Sequence, residues 1–171
     1  MISGIQAAGK STVAQLLAER LPRSVHVRGD LFRRMIVSGR ADITPDMTGE
    51  AAAQLRLRYR LTAATCDAYF REGFTVVAQD VILGDHLRDM TTMITSRPLL
   101  LVVLTAATEV IEAREAGRNK NAYTTWSPAG LEKVLRDETP PIGLWLDSTT
   151  QTPEETVDEI LGRAWTEARI P

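Results

Sequence analysis

The chain has 171 residues, 20 basic and 22 acidic side chains, a formal net charge of −2 and one cysteine. That length suits a single domain with a real core, and the near balance of charge excludes a global positive field for nucleic acid or a polybasic membrane segment. A lone Cys66 excludes an internal disulfide, and no run of about 20 apolar residues predicts a membrane span.

In chain order, short β-branched runs alternate with longer amphipathic segments, the pattern of an α/β domain with a parallel sheet. Met1–Ser3 reads as a first strand so short that it is either cut by the chosen start or unpaired at its outer end. It runs into Gly4-Ile5-Gln6-Ala7-Ala8-Gly9-Lys10-Ser11-Thr12, which fits G-x-x-x-x-G-K-[ST], a phosphate-binding loop. Gly4 and Gly9 permit the backbone angles that turn successive N–H groups, including those of Ala7 and Ala8, toward phosphate oxygens. The helix predicted over Lys10–Leu21 points its positive dipole end at the same anion. Lys10 would reach the β- and γ-phosphates of ATP, and Ser11 would ligate Mg²⁺, with Thr12 beside it. The bland alternative, a glycine turn that merely starts a helix, does not require the lysine.

The next strand, Ser24–Val27, ends in Arg28-Gly29-Asp30 and leads into a helix predicted over Asp30–Ser38. Asp30 then faces the crevice at the carboxyl ends of the strands. Phosphoryl transfer to a hydroxyl needs a group that accepts the alcohol's proton, and Asp30 is the candidate, although an N-cap role suits the same position. Arg33 and Arg34, one turn on, are candidates for an anionic part of the acceptor, or else solvated helix cations. His26 alternates with Val25 and Val27 and reads as structural.

A helix over Glu50–Glu72 precedes the strand Thr75–Gln79. That apolar strand ends at Asp80 and has Walker B character, so Asp80 is a candidate for Mg²⁺ or acceptor contact rather than a simple loop cap. A helix over Leu83–Thr95 leads to Leu99–Leu104, apolar without alternation, as a strand covered on both faces should be. At the end of the helix Ala107–Ala116 and just beyond it stand Arg114 and Arg118, four residues apart on one helical face. They read as a basic lid over about 114–126 that closes on the phosphates, with Gly117 as hinge. Cations at a helix C-terminus are the plainer reading of the same pair. A helix over Pro128–Asp137, a strand Gly143–Leu146 and a helix Pro153–Glu167 complete the chain. The last helix carries a capping box from Thr152 to Glu155.

These elements, in this order, resemble the P-loop small-molecule kinases, and the chloramphenicol phosphotransferase-like family most closely. The resemblance rests on Ala8-Gly9-Lys10-Ser11, on Asp30, on Val76 to Leu83 around Asp80, on Arg114-Glu115-Ala116-Gly117-Arg118, and on Leu146-Asp147-Ser148-Thr149. It implies one P-loop kinase domain over residues 1–171 with helices on both faces of a five-stranded parallel sheet of order 2-3-1-4-5. It also implies that the residue matching Asp30 is the base, and that the loop before the last helix borders adenine. Gly29-Asp30-x-x-Arg33 also resembles adenylylsulfate kinase and the phage polynucleotide kinase, so the acceptor is not fixed by the resemblance. Asn119-Lys120 and the Gly39–Gly49 stretch depart from the antibiotic kinases.

The expectation is therefore a cytoplasmic kinase that moves the γ-phosphoryl of ATP, with Mg²⁺, to a hydroxyl of a small molecule such as an antibiotic or a nucleoside-like metabolite. A polynucleotide 5′-hydroxyl kinase ranks second, because Arg56, Arg58 and Arg60 alternate along a helix and do not share a face. A nucleotide-binding switch ranks third, since a switch needs neither Asp30 nor a basic lid.

Overall fold

The computed structural model describes residues 1–44, 47, 49–117 and 127–171. Its strands are β1 (Ile2–Ser3), β2 (Ser24–Arg28), β3 (Thr75–Gln79), β4 (Leu99–Leu100), β5 (Val102–Thr105), β6 (Leu144–Asp147) and β7 (Arg169–Ile170). Five of them form a parallel sheet in the order β2-β3-β1-β5-β6. Numbered among themselves, those five strands have the order 2-3-1-4-5.

The labels shift because the apolar run Leu99–Leu104 is not one strand. Leu101 donates its N–H to Ala168 O at 2.8 Å, and the chain changes partners there. Before it, β4 pairs antiparallel with β7; after it, β5 joins the parallel sheet. Hydrophobicity alone carries no signal for this switch, since both halves are buried.

β1 is short but not unpaired. Ile2 sits opposite Gln79 on one side and Val102 on the other, and Ser3 sits opposite Val103. Asp80 N donates to Ile2 O at 3.2 Å and Val102 N to Met1 O at 2.9 Å. The fully buried Ser3 hydroxyl extends the strand's reach. It donates to Ile82 O at 2.7 Å and accepts from Ile82 N at 3.2 Å.

The helices are α1 (Lys10–Glu19), α2 (Asp30–Arg34), α3 (Gly49–Arg71), α4 (His86–Met93), α5 (Thr108–Ala116), α6 (Pro128–Lys133) and α7 (Pro153–Glu167), with a π turn at Val134–Glu138. Alternation along β2 and β3 sorts their side chains to two faces. Val77 enters the main core with Val13, Ala14 and Leu17 of α1, whereas Val27 and Ala78 pack on Cys66 of α3. Burial pushes the Cys66 thiol up to about 11, in keeping with a small apolar core residue.

α2 stops at Arg34, four residues short of the predicted end. It buries none of its own residues, so no packing offsets the ordering of a further turn through β-branched Ile36 and Val37. α7 has the bounds the sequence predicts, and its capping box is complete: Thr152 N donates to Glu155 Oε2 at 2.8 Å and Glu155 N to Thr152 Oγ1 at 3.2 Å.

Candidate active site

The carboxyl ends of β1, β2 and β3 lie side by side, and each carries one predicted site element. From β1 the chain enters the phosphate loop. Gly4 has φ +137°, and a Cβ there would collide with Leu104 O on β5, so both backbone angle and space demand glycine. Ala7 has φ +60°, and Gly9 enters α1 at φ +89° with open space around its Cα. Ala8 N donates to Ile5 O at 3.3 Å, which closes the loop. Lys10 is buried and its Nζ donates to Ile5 O at 2.6 Å, so the ammonium lies over the loop it is expected to serve. Ser11 follows as the second residue of α1.

From the loop, a cavity of about 270 Å³ extends toward α7. It is lined by Ala7, Ala8, Gly9 and Thr12 on one side and by Arg114, Ser148 and Gln151 on the other. Arg114 projects from the last turn of α5. Its Nη2 donates to Ser148 O at 3.0 Å, and its buried Nη1 has no hydrogen-bond partner among the described residues. Arg114 thus lines the cavity that the phosphate loop opens into and holds one unpartnered donor beneath the surface. Three hydrogen bonds hold the far wall. Asp147 Oδ1 accepts from Thr149 N at 3.0 Å and from Thr149 Oγ1 at 2.5 Å, and Ala107 N donates to Thr149 Oγ1 at 2.8 Å. Arg118, Asn119 and Lys120, the rest of the expected lid, lie outside the described residues.

At the end of β2, Gly29 N donates to Gln79 O at 3.1 Å, which ties the β2–α2 turn to the end of β3. Asp30 opens α2. Its Oδ2 pairs with Arg34 Nη2 at 2.5 Å, while the buried Oδ1 accepts no hydrogen bond among the described residues and has only Arg28 Nε at 3.9 Å. Its N-cap role is not realised, because Gly29 is the cap residue and no side chain caps α2. Arg34 is thus committed to Asp30. Arg33 is committed elsewhere: Nη2 donates to Ala41 O at 3.0 Å and stands 3.5 Å from Asp42. Both guanidinium groups are therefore paired within the chain.

Asp80 departs most from its expected role. Its side chain is 1% exposed. Arg58 of α3 grips it as a fork, with Nε donating to Oδ2 at 2.7 Å and Nη2 against Oδ1, and Val81 N donates to Oδ1 at 2.7 Å. Both oxygens are engaged within the chain. The pairing has a simple cause: a buried carboxylate takes the nearest fixed cation. Burial in turn lowers the Arg58 guanidinium from its ordinary value and pushes the neighbouring Tyr59 hydroxyl, which donates to Val81 O, up to about 12.

Arg58 is the residue that reading the arginines only as a row of alternating charges misses. Its position held a usable signal. Leu55, Tyr59 and Thr62 are buried on α3, and Arg58 stands three after the first and four before the last, at the edge of the stripe that meets β3. His26 makes a structural contact, with Nδ1 2.9 Å from Gln15 Oε1.

A family model described as an AAA domain matches residues 1–138, which include the phosphate loop, Asp30, Asp80 and Arg114. The chain belongs to this AAA domain family. A search of curated proteins gives no match. Among solved structures, this family member is similar to a sugar kinase from Janibacter sp., at 21% identity and TM-score 0.65, over 94% of this chain and 90% of that one. It is similar to the tunicamycin resistance protein of Deinococcus radiodurans, at 16% and 0.69, over 99% and 96%. A third is the adenylylsulfate (APS) kinase of Mycobacterium tuberculosis, solved with AMPPNP and APS, at 18% and 0.67, over 94% and 93%. These likenesses establish the P-loop kinase fold. No helix among the described residues is long and apolar enough to cross a membrane.

Proposed function

We propose that the chain is an ATP-dependent phosphotransferase that moves the γ-phosphoryl group to a hydroxyl of a small molecule. The observation that carries this reading is Asp30: a carboxylate at the crevice end of β2 with a buried oxygen that no donor among the described residues satisfies. A buried acceptor left open is costly unless a ligand completes it, and an alcohol O–H is such a donor. Asp30 follows β2, two strands from the phosphate loop, roughly 10 Å along the sheet edge.

In this reading the loop amides from Gly4 to Thr12 and the Lys10 ammonium hold the triphosphate. Arg114 neutralises charge on the phosphoryl oxygens as they develop it, and Arg118 extends that role from the lid. Ser11 and the nucleotide's own oxygens would hold Mg²⁺, which supplies charge neutralisation between the β- and γ-phosphates. Asp30 orients the acceptor oxygen for in-line attack and takes its proton.

The acceptor side also supports a small molecule over a polynucleotide. Arg33, Arg34 and Arg58 are all engaged within the chain, by Ala41 and Asp42, by Asp30 and by Asp80. A polynucleotide channel would need those cations facing outward, and Arg56 and Arg60 of α3, which are exposed, are what is left to line one. The test is a transfer screen with γ-labelled ATP across neutral antibiotics, nucleosides, sugars and oligonucleotides. A labelled product from a small alcohol is expected. Label on oligonucleotide 5′ ends alone would replace this reading with the polynucleotide one. ATP hydrolysis with no labelled alcohol would favour a nucleotide switch.

A further inference from the structure

The Arg58–Asp80 pair touches the turn that carries Asp30. Gly29 has ordinary helical angles, φ −61° and ψ −32°, so its backbone does not require glycine. Space does. A Cβ at position 29 would collide with Asp80 Oδ2 and Cγ and would stand 3.0 Å from Thr62 Oγ1. The chain therefore lays Gly29 directly against the carboxylate that Arg58 grips. Thr62 donates to Arg58 O at 2.9 Å, which fixes the same turn of α3. Gly29 N is held by Gln79 O, the residue before Asp80. The turn from β2 to α2 is thus pinned on its backbone side and backed on its Cα side, and Asp30 is the next residue.

The geometry points to Arg58 and Asp80 as a positioning pair: the fork of Arg58 locks the Asp80 carboxylate, and that carboxylate is the wall that sets where Asp30 sits. This inference rests on the reading of Asp30 as the group that takes the acceptor's proton. Neither Arg58 nor Asp80 touches the reacting atoms in this account. The fork matters more than the charge, because a lysine is a point charge that would let the carboxylate rotate against Gly29. The pair does not owe its place to net stability, since a buried ion pair can often be replaced by neutral residues of similar volume with little loss.

The test uses the full chain and two variants. Arg58→Lys keeps the charge and loses the fork. Arg58→Met combined with Asp80→Asn removes both charges and still leaves an oxygen to accept the Val81 N–H. Backbone amide exchange at Gly29 and Phe32, whose N–H groups bond Gln79 O and Gly29 O, is expected to rise by about tenfold or more relative to core amides in both variants. Exchange at Gly9 to Thr12 and affinity for a non-hydrolysable ATP analogue are expected to stay within about threefold of wild type. With an acceptor from the screen, kcat falls by roughly tenfold or more while the KM for ATP holds within about threefold. A role confined to stability predicts that exchange at Gly29 and Phe32 in the double variant rises no more than exchange at core amides such as Val102 and Leu144; that result overturns the proposal. So does wild-type exchange in Arg58→Lys. If Asp30→Ala turns over fully while the exchange rise persists, the positioning of the turn stands and the assignment of Asp30 as base falls.

Discussion

The two halves of the site are built in opposite ways. The phosphate side is nine consecutive residues whose backbone angles do the work; the acceptor side joins Gly29, Asp30, Arg34, Arg58, Thr62 and Asp80 from three separate segments. The glycines show the difference. Gly9 has a left-handed backbone and open space, so it is there for its angles. Gly29 has helical angles and a crowded surface, so it is there for its missing side chain. In the proposed reading, phosphate is held by a local conformation that any P-loop can reproduce. The acceptor's partner is held by side chains that this particular sequence brings together.

Substitutions on the two sides should separate accordingly. The largest effect is expected for Lys10→Ala, which removes the ammonium over the loop: transfer should fall by about three orders of magnitude or more, and nucleotide affinity with it. An isotherm for an ATP analogue beside a transfer assay reads both quantities. Gly4→Ala comes next and acts on folding. Its Cβ meets the Leu104 carbonyl at a φ that L-residues avoid, so a loss of about 3 kcal/mol or more is expected in chemical denaturation.

On the acceptor side, Asp67 anchors the helix that carries Arg58. Burial by itself would raise its carboxyl, but hydrogen bonds from the Thr95 and Ser96 side outweigh it and hold the group down to about 2. Thr95 Oγ1 and N donate to Oδ2, and Ser96 N donates to Oδ1. Because the folded value is depressed, the stabilisation is present above the ordinary carboxylate range and is lost as pH falls from about 4 toward 2. Asp67→Asn should therefore cost about 2 kcal/mol at pH 7, and the gap from wild type should narrow to about half in denaturation curves run near pH 3 and close only near pH 2. The smallest effect is expected at a site remote from both halves. Thr152→Ala removes one half of the α7 capping box and should lower stability by about 1 kcal/mol, with transfer unchanged below the melting range.

What the sequence made legible follows the same division. The loop from Gly4 to Thr12, the parallel sheet and the bounds of α7 could be read because their causes are local: a fixed spacing, a hydrophobic run, a cap. The break at Leu101 could not, because it depends on Ala168 arriving from the far end of the chain. Asp80 was legible as a carboxylate after a buried strand but not as the partner of Arg58, since 22 residues separate the two and only the packing of α3 on β3 joins them. Arg33 and Arg34 were legible as cations near Asp30, and their internal partners were not. Arg114 was legible through its place after the central strand, and its bond to Ser148 adds the wall it leans on.

The most direct measurement compares wild type with Asp30→Ala, side by side, for γ-phosphoryl transfer to an acceptor identified by the screen and for affinity toward an ATP analogue. The account predicts that transfer falls by roughly 10²- to 10⁴-fold while analogue affinity stays within about threefold. Full turnover by Asp30→Ala would contradict it and remove Asp30 from the mechanism.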